Sequence, residues 1–257
     1  MVKGLYAAYT GMLNQQNRMD VISNNLANAA TTGYKKEGST SQAFDTVLAY
    51  KIKDQTVGVR AQNIGTMNLG VKIGENYTDY TQGAFKTTGN TYDLAISGNG
   101  FFCVEFTNKS GESSVKYTRD GSFTLNVGGY LVTKDGDYVL SDKGQRIRLD
   151  TLSDASIDQN GTIYQNERAV ATIGLQDFED YNYLEHYGEN YYQPVEGAEL
   201  KAADGQIFEG YLEASNVQVV SEMVDLISVT RAYESNQKMI QTIDSTLDKA
   251  VNQLGNV

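Results

Sequence analysis

The sequence predicts an α+β fold, in which N- and C-terminal helices form a coiled-coil inner layer and a mostly antiparallel β domain is inserted between them. Two observations predict this arrangement. Apolar residues recur every seven positions near both ends of the chain, as they do in coiled coils. From about residue 58 to residue 212 the pattern changes to apolar alternation interrupted by glycine turns, as in antiparallel sheets.

The N-terminal helix carries a narrow heptad seam. In its first row, successive residues are seven positions apart: Leu5, Met12, Met19 and Leu26. A second row lies three positions after the first and has one polar member: Ala8, Gln15 and Ile22. Asn24, Asn25 and Asn28 follow, although Asn is a mediocre helix former. These amides either face solvent at the end of the helix or are buried between subunits, where each would fix register. We expect Gly33 to stop the helix.

The middle of the chain has a regular series of turn signals. Gly128, Gly136 and Gly144 are eight residues apart, and strand-like runs lie between them. Further strands are predicted in "TYDLAISGNGFFCVEF", "ASIDQNGTIYQ" and "ATIGLQDF". An antiparallel meander in a sandwich or small barrel is therefore expected.

The C-terminal helix is predicted over residues 216–254, with Ser215 or Asn216 as its N-cap. Its two heptad rows are Val219, Leu226, Tyr233, Ile240, Leu247, Leu254, and Val229, Ile243, Ala250. The two terminal helices either pair within the chain or pack only against copies of themselves. Small or polar seam residues such as Ala8, Gln15 and Asn236 favour packing against copies.

These patterns divide the chain into four segments. Residues 1–36 are the N-terminal helix and Asn-rich turn, and 37–80 are an extended linker or connecting β region. Residues 81–212 are the central β domain, and 213–257 are the C-terminal coiled-coil helix.

The chain has a formal net charge of −11, and its charged residues are unevenly distributed along the sequence. Residues 1–36 carry four Lys or Arg and one Asp, whereas residues 213–257 carry three basic and six acidic side chains. The middle is therefore strongly acidic, which argues against nucleic acid as a partner. No run approaches the roughly 20 apolar residues of a membrane span, and no cleaved signal peptide is expected.

Little in the chain suggests chemistry. Cys103 lies in an alternating apolar run and is interpreted as a structural thiol, and His186 as a surface residue of a Tyr-rich loop. One motif approaches a calcium loop, but a hairpin turn accounts for the same residues: Ser156, Asp158, Asn160, Gly161 and Glu167. We expect no enzyme, metal site or cofactor.

Both ends of the chain resemble the bacterial flagellar rod and hook protein family. The N-terminal signature of that family is similar to "GLYAAYTGMLNQQNRMDVISNNLANAATTGYKK", although Tyr34 stands where Phe is usual. The C-terminal signature is similar to "GYLEASNVQVVSEMVDLISVTRAYESNQKMIQTIDSTLDKAVNQLG". The β region shared by rod and hook proteins resembles "TQGAFKTTGNTYDLAISGNGFFCVE", "YTRDGSFTLNVGGYLV" and "DGDYVL".

The resemblance implies a building block that is exported through the flagellar type III apparatus without a cleaved signal. Such subunits polymerise helically, with themselves and with other rod or hook proteins, into the axial shaft that transmits torque from motor to hook. The seam residues and the Asn run would then belong to the inner tube. The chain looks most like the distal rod protein or a close paralogue, with a hook or proximal-rod paralogue as the alternative. The rival from another class is a stalked β-domain binding protein or enzyme.

Overall fold

The structure, a computed structural model, describes residues 2–45, 47–51, 62–108, 111–188 and 190–252. It divides into two compact units. The helical unit comprises residues 1–27, 37–79 and 218–257, and the β unit comprises residues 28–36 and 80–217. The turn after the first helix thus belongs to the β unit.

Among its described residues, the helical unit contains two helices and four strands. Their bounds are α1 Val2–Ala27, β1 Glu37–Ala43, β2 Val47–Lys51, β3 Gln62–Met67, β4 Val71–Thr78 and α2 Val219–Asn252. Strand β1 pairs antiparallel with β4, and β2 pairs antiparallel with β3. The connecting β region expected over 37–80 therefore forms strand pairs, although its residues 52–61 lie outside the described residues. Neither helix among the described residues combines the length and apolarity that crossing a membrane requires.

Helix α2 begins later than expected, and neither proposed N-cap is used. The Ser215 hydroxyl accepts from the Val217 amide at 3.3 Å, and the Asn216 side chain accepts from the Lys36 amide at 2.7 Å. The Glu222 amide instead donates to the Gln218 carbonyl at 3.0 Å. The Asn216 cap was therefore a wrong prediction, because its amide is engaged within the β unit.

The β unit is built from short strands and one turn of 3-10 helix at Tyr181–Tyr183. The strand bounds are β5 Phe85–Thr87, β6 Leu94–Ser97, β7 Phe101–Thr107, β8 Ser113–Thr118, β9 Phe123–Leu125, β10 Leu131–Thr133, β11 Tyr138–Val139, β12 Ala155–Ile157, β13 Thr162–Gln165, β14 Arg168–Thr172, β15 Leu175–Phe178, β16 Leu184–Tyr187, β17 Tyr191–Pro194, β18 Leu200–Ala202, β19 Gln206–Glu209 and β20 Tyr211–Glu213. Among the described residues the largest sheet runs β16-β17-β8-β7-β11-β10-β9, with β15 and β18 attached through β7. All the pairings are antiparallel, as expected.

Strand β7 separates two hydrophobic clusters. Phe102 packs into the main core with aliphatic residues such as Leu94 and Ile163. Its neighbour Phe101 packs into an aromatic cluster with Tyr192. Because consecutive strand residues point to opposite faces, β7 is covered on both sides, which explains the four successive apolar residues at 101–104.

The predicted turns are present with one shift. Residues at positive φ include Gly129, Gly136 and Gly144, so Gly129 rather than Gly128 takes the left-handed conformation in the first turn. At the calcium-like motif, the Gly161 amide donates to the Asp158 carbonyl at 2.8 Å and closes the β12–β13 hairpin. The hairpin interpretation of that motif is confirmed.

The next hairpin, β13–β14, offers a stability test. Asn166 and Glu167 both have positive φ, at 50° and 61°, a conformation that favours Gly. We expect Glu167→Gly to raise the free energy of unfolding by about 0.5–1 kcal/mol. Urea titration measures the change. The matched control is Asn160→Gly in the preceding turn, where φ is not positive and a small loss is expected; equal effects of both changes would contradict the argument.

The lone thiol and the lone imidazole are both structural. His186 lies in strand β16, not in a loop, and its ring meets Tyr192 edge-on at 5.5 Å between centroids. Burial raises the pKa of the Cys103 thiol to about 11. Since the thiolate is the nucleophile, this shift makes the residue unreactive.

A thiol assay tests that conclusion. At about pH 8 only about one Cys103 in a thousand is ionised when the pKa is about 11. We expect a disulfide reagent to label native protein slowly, faster as pH rises towards that pKa, and fully after unfolding in urea. Rapid stoichiometric labelling of native protein at that pH would show that the thiol is accessible and ionised.

Candidate assembly site

Helices α1 and α2 pair antiparallel in a single register. A Cβ on Gly4 would lie 3.7 Å from Ile243, and one on Gly11 would lie 3.1 Å from the Asn236 amide. One heptad forward along α1 therefore corresponds to one heptad back along α2. The Asn25–Glu222 side-chain contact, two heptads further on, keeps the same register. The close approach at Gly11 leaves little room for any larger residue.

The predicted seams are the surfaces that pair. In the described end of α2, from Glu234 to Asn252, the residues that are not exposed fall on heptad positions alone: Asn236, Ile240, Ile243, Leu247 and Ala250. Further seam residues on the two helices are also wholly or partly buried: Leu5, Ala8, Met12, Gln15, Met19, Ile22, Leu26, Leu226, Val229 and Tyr233. The helices thus pair within the chain, contrary to the expectation that they pack only against copies, because each supplies the narrow apolar row that the other lacks.

Three predicted assembly residues differ from the rest of the seam. Val219 is 38% exposed at the first turn of α2. Asn24 is exposed. Leu254 lies outside the described residues.

Asn25 is buried within its own chain, with 1% of its surface exposed. Its carbonyl oxygen accepts from the Glu37 amide at 2.9 Å, and its amide donates to the Glu37 carbonyl at 2.8 Å. The same amide lies 3.4 Å from the Glu222 carboxylate, which is itself buried. Asn25 therefore fixes the register of α1, β1 and α2 inside one subunit. It is neither a solvent-facing cap nor a residue buried between subunits, which were the two expected alternatives.

We expect Asn25→Asp to destabilise the helical unit by about 2–3 kcal/mol, because a carboxylate cannot donate to the Glu37 carbonyl and faces Glu222 at close range. Urea unfolding followed by far-ultraviolet circular dichroism measures the loss. The matched control is Asn24→Asp, which adds the same charge at an exposed neighbouring position. Equal stability of the two variants would contradict the assigned role.

The segment 28–36 is anchored in the β unit. The Thr31 amide donates to the Asn28 carbonyl at 3.1 Å, which turns the chain after α1 ends at Ala27. Gly33 has φ +70°, and a Cβ there would lie 2.4 Å from the Asp120 nitrogen. Gly33 is therefore required for close packing and does not stop the helix, which ends well before it.

A buried charged junction holds segment 28–36 and strand β20 together within the β unit. The Lys35 ammonium lies 2.6 Å from the Glu213 carboxylate, and each side chain is 1% exposed. The Arg119 guanidinium approaches the same carboxylate at 3.5 Å. The Gly83 amide donates to this carboxylate at 2.9 Å, and Lys35 also donates to the Thr81 carbonyl at 2.9 Å. We call Lys35, Arg119 and Glu213 the charged junction; Arg119 and Glu213 lie inside the quoted family motifs, but neither was singled out from the sequence.

Each helix also carries an apolar row that its partner leaves uncovered. The α1 stripe is Tyr6, Tyr9 and Leu13, which are 51%, 47% and 39% exposed. The α2 stripe is Val220, Met223, Val224 and Ile227, which are 77%, 47%, 61% and 54% exposed. At about 100° per residue both stripes lie opposite the helix–helix seam. The heptad rows do not include these residues; for α2, the i, i+3, i+4, i+7 spacing in "VVSEMVDLI" is the sequence signal that indicates them.

Three family models match the chain in sequence order. Residues 5–35 match the model described as flagella basal body rod protein. Residues 95–165 match the flagellar hook protein FlgE/F/G D1 domain, and residues 209–254 match the flagellar basal body rod FlgEFG protein C-terminal model.

Full-length relatives agree with these matches. The chain is 37% identical over 259 residues to the flagellar basal-body rod protein FlgF of Caulobacter vibrioides, with 100% of both chains covered. It is 33% identical over 268 residues to the flagellar basal-body rod protein FlgG of Bacillus subtilis, covering 98% of this chain and 99% of that one. The flagellar hook-basal body complex protein FlhO of Bacillus subtilis is 32% identical over 272 residues, with both chains fully covered.

Proposed function

The chain belongs to the flagellar basal-body rod protein family, and from this premise we propose that it polymerises helically, with further copies of itself, into the axial shaft that carries torque from motor to hook. It is a non-enzymatic structural subunit of the rod and assembles with other axial flagellar proteins.

One observation carries the self-assembly proposal. The seams of α1 and α2 are already used against one another, yet both helices retain exposed apolar stripes on their opposite faces. A helix that is apolar on two sides is suited to burial on two sides. Contiguous exposed apolar residues of this kind mark interaction surfaces in proteins. We assign the stripes to contacts between subunits. The predicted seam residues instead hold α1 and α2 together as the helix pair on which the stripes lie.

Transmission of torque requires that force reach the outer domain without local unfolding. The charged junction supports this role, since it holds residue 35, shortly after α1, and residue 213, shortly before α2, in one buried cluster. The Gly33 amide adds a bond to the Glu213 carbonyl at 2.8 Å. A buried ion pair with both partners hydrogen-bonded resists separation strongly.

We further propose that the chain leaves the cytoplasm through the flagellar type III apparatus and keeps its N-terminal segment. That segment supplies α1, which α2 needs for burial of its seam. The intact mass of the chain recovered from isolated basal bodies checks this. A product lacking the first 15–30 residues, as after removal of a signal peptide, would contradict it.

The function is tested by deleting the gene in the source bacterium and imaging the isolated basal bodies. We expect rods that are incomplete, cells that do not swim, and recovery of both when the wild-type gene is restored. Mass spectrometry should detect the chain in basal bodies isolated from the restored cells. Complete rods and normal swimming without it would contradict the assignment.

A further inference from the structure

The β unit contains a cavity of about 320 Å³. It is lined by the ends of β7, β8, β10, β16 and β17 and by the turns that follow β8, β10 and β16. Pockets that bind small molecules begin at about this size. The described lining residues include none from either apolar stripe, so the cavity is separate from the surfaces assigned to self-assembly.

Aromatic side chains supply the apolar part of the lining. Phe106 and Tyr187 meet edge-on with their ring centroids 5.4 Å apart, and Phe106 lies 6.0 Å from the ring of Tyr191. The Lys116 ammonium lies 4.1 Å from the centre of the Tyr187 ring, which helps to hold that ring in place. The Tyr187 side chain is still 37% exposed, so part of it is available to a bound molecule.

A preorganised carboxylate lies among the polar lining residues. Asp120 Oδ1 accepts from the Thr32 hydroxyl at 2.7 Å, from the Ser122 hydroxyl at 2.7 Å and from the Ser122 amide at 3.0 Å. None of the residues that the structure describes donates to Asp120 Oδ2. Because the carboxylate is already fixed, its second oxygen can accept from a ligand at little cost in ordering.

These lining groups favour one chemical class of ligand. A wholly apolar molecule would remove water from Asp120 without offering a donor in return. An anion would be repelled by Asp120 and Asp135, of which Lys134 offsets only one charge. A small cation would fill little of the volume. A neutral sugar meets both requirements, because its ring has an apolar C–H face and its hydroxyl groups are donors.

We propose that this cavity binds a neutral saccharide unit, with Tyr187 packed on the face of the sugar ring and Asp120 Oδ2 accepting from its hydroxyl groups. Thr32 is a positioning residue, since it acts on the sugar only through Asp120. Self-assembly makes no use of this cavity. The site therefore gives the β unit a carbohydrate-binding role in addition to its role in the rod.

Nuclear magnetic resonance of the full-length chain tests the site. Saturation-transfer spectra are recorded with methyl glucoside, with the disaccharide of N-acetylglucosamine, and with glucuronate as the acidic comparison. We expect saturation transfer to a neutral sugar and an affinity for it at least about tenfold above that for glucuronate, because like charges repel in the cavity. Absence of transfer to both neutral sugars, or equal affinity for glucuronate, would overturn the proposal.

Two tyrosine variants locate the binding. Tyr187→Ala should weaken the affinity for the neutral sugar about tenfold, because the ring supplies much of the apolar contact. The matched control is Tyr164→Ala, which removes a ring that is 38% exposed and lies outside the described lining of the cavity, and it should leave the affinity unchanged. Wild-type affinity in Tyr187→Ala, or an equal loss in both variants, would place the sugar elsewhere and overturn the assignment.

Asp120→Asn tests the carboxylate itself. The amide has the same shape but lacks the charge and the second acceptor oxygen, so the affinity for the neutral sugar should fall about tenfold. The discrimination against glucuronate should narrow at the same time, an effect that loss of structure alone would not produce. Circular dichroism shows whether each variant is folded. Unchanged discrimination in folded Asp120→Asn would contradict the role of Asp120 in selecting a neutral sugar.

Discussion

The double substitution Met223→Asp, Ile227→Asp should abolish filament formation while the monomer stays folded. Both side chains are about half exposed in the single chain, so carboxylates are tolerated there. On assembly the same carboxylates would lose their hydration in an apolar contact, at a cost of several kcal/mol each. Even a total of only about 4 kcal/mol would raise the concentration needed for assembly about a thousandfold. Sedimentation and electron microscopy measure filaments, and circular dichroism measures folding.

Two matched substitutions on α2 show whether the effect belongs to the stripe. Val251→Asp adds a carboxylate at a position 69% exposed and outside the stripe, and it should leave assembly unchanged. Leu226→Asp with Ile240→Asp alters the seam and should instead lower the helix content of the monomer. If the stripe variant assembled as the wild type does, the assembly surface would lie elsewhere.

The largest expected loss of stability comes from the charged junction. Replacing Glu213 with Leu leaves Lys35 and Arg119 buried without their shared anion. Removing one partner of a buried pair costs about 3–5 kcal/mol. We expect the free energy of unfolding of the β unit to fall by that amount. Tyrosine fluorescence recorded during a urea titration measures the loss.

An exposed ion pair in the same unit provides the control. Arg146 lies 2.6 Å from Glu105, and its side chain is 45% exposed. Arg146→Met should change stability little, since solvent screens such pairs. A Glu213→Leu variant no less stable than Arg146→Met would contradict the anchoring role of the junction. In cells, the same Glu213 variant should reduce swimming even where rods still form.

The sequence predicted the elements whose signal is local and periodic. The heptad rows of Leu226 and Ile240 predicted α2, and the turn glycines Gly136 and Gly144 predicted strand ends in the central meander. Such patterns repeat every two or seven residues because the same face of an element is covered along its whole length. Family membership was likewise readable from the two terminal motifs.

The partners of those faces were not predictable in this way. Asn25 and Glu222 are 197 positions apart, and Lys35 and Glu213 are 178 apart, so no local pattern links them. The Gly33 requirement comes from the backbone at Asp120, which packs against it only in the folded chain.

The sequence by itself therefore determined the α+β class, the start of α2 to within a turn and membership of the flagellar rod family, whereas α1 ends at Ala27, well before the predicted stop at Gly33. The tertiary structure alone decided that the seams pair within one subunit, and that Asn25 fixes register inside that subunit. It also decided that the uncovered apolar faces are the stripes around Tyr9 and Val224. The physical reason is that periodicity reveals that a face is buried, whereas only the folded chain reveals what buries it.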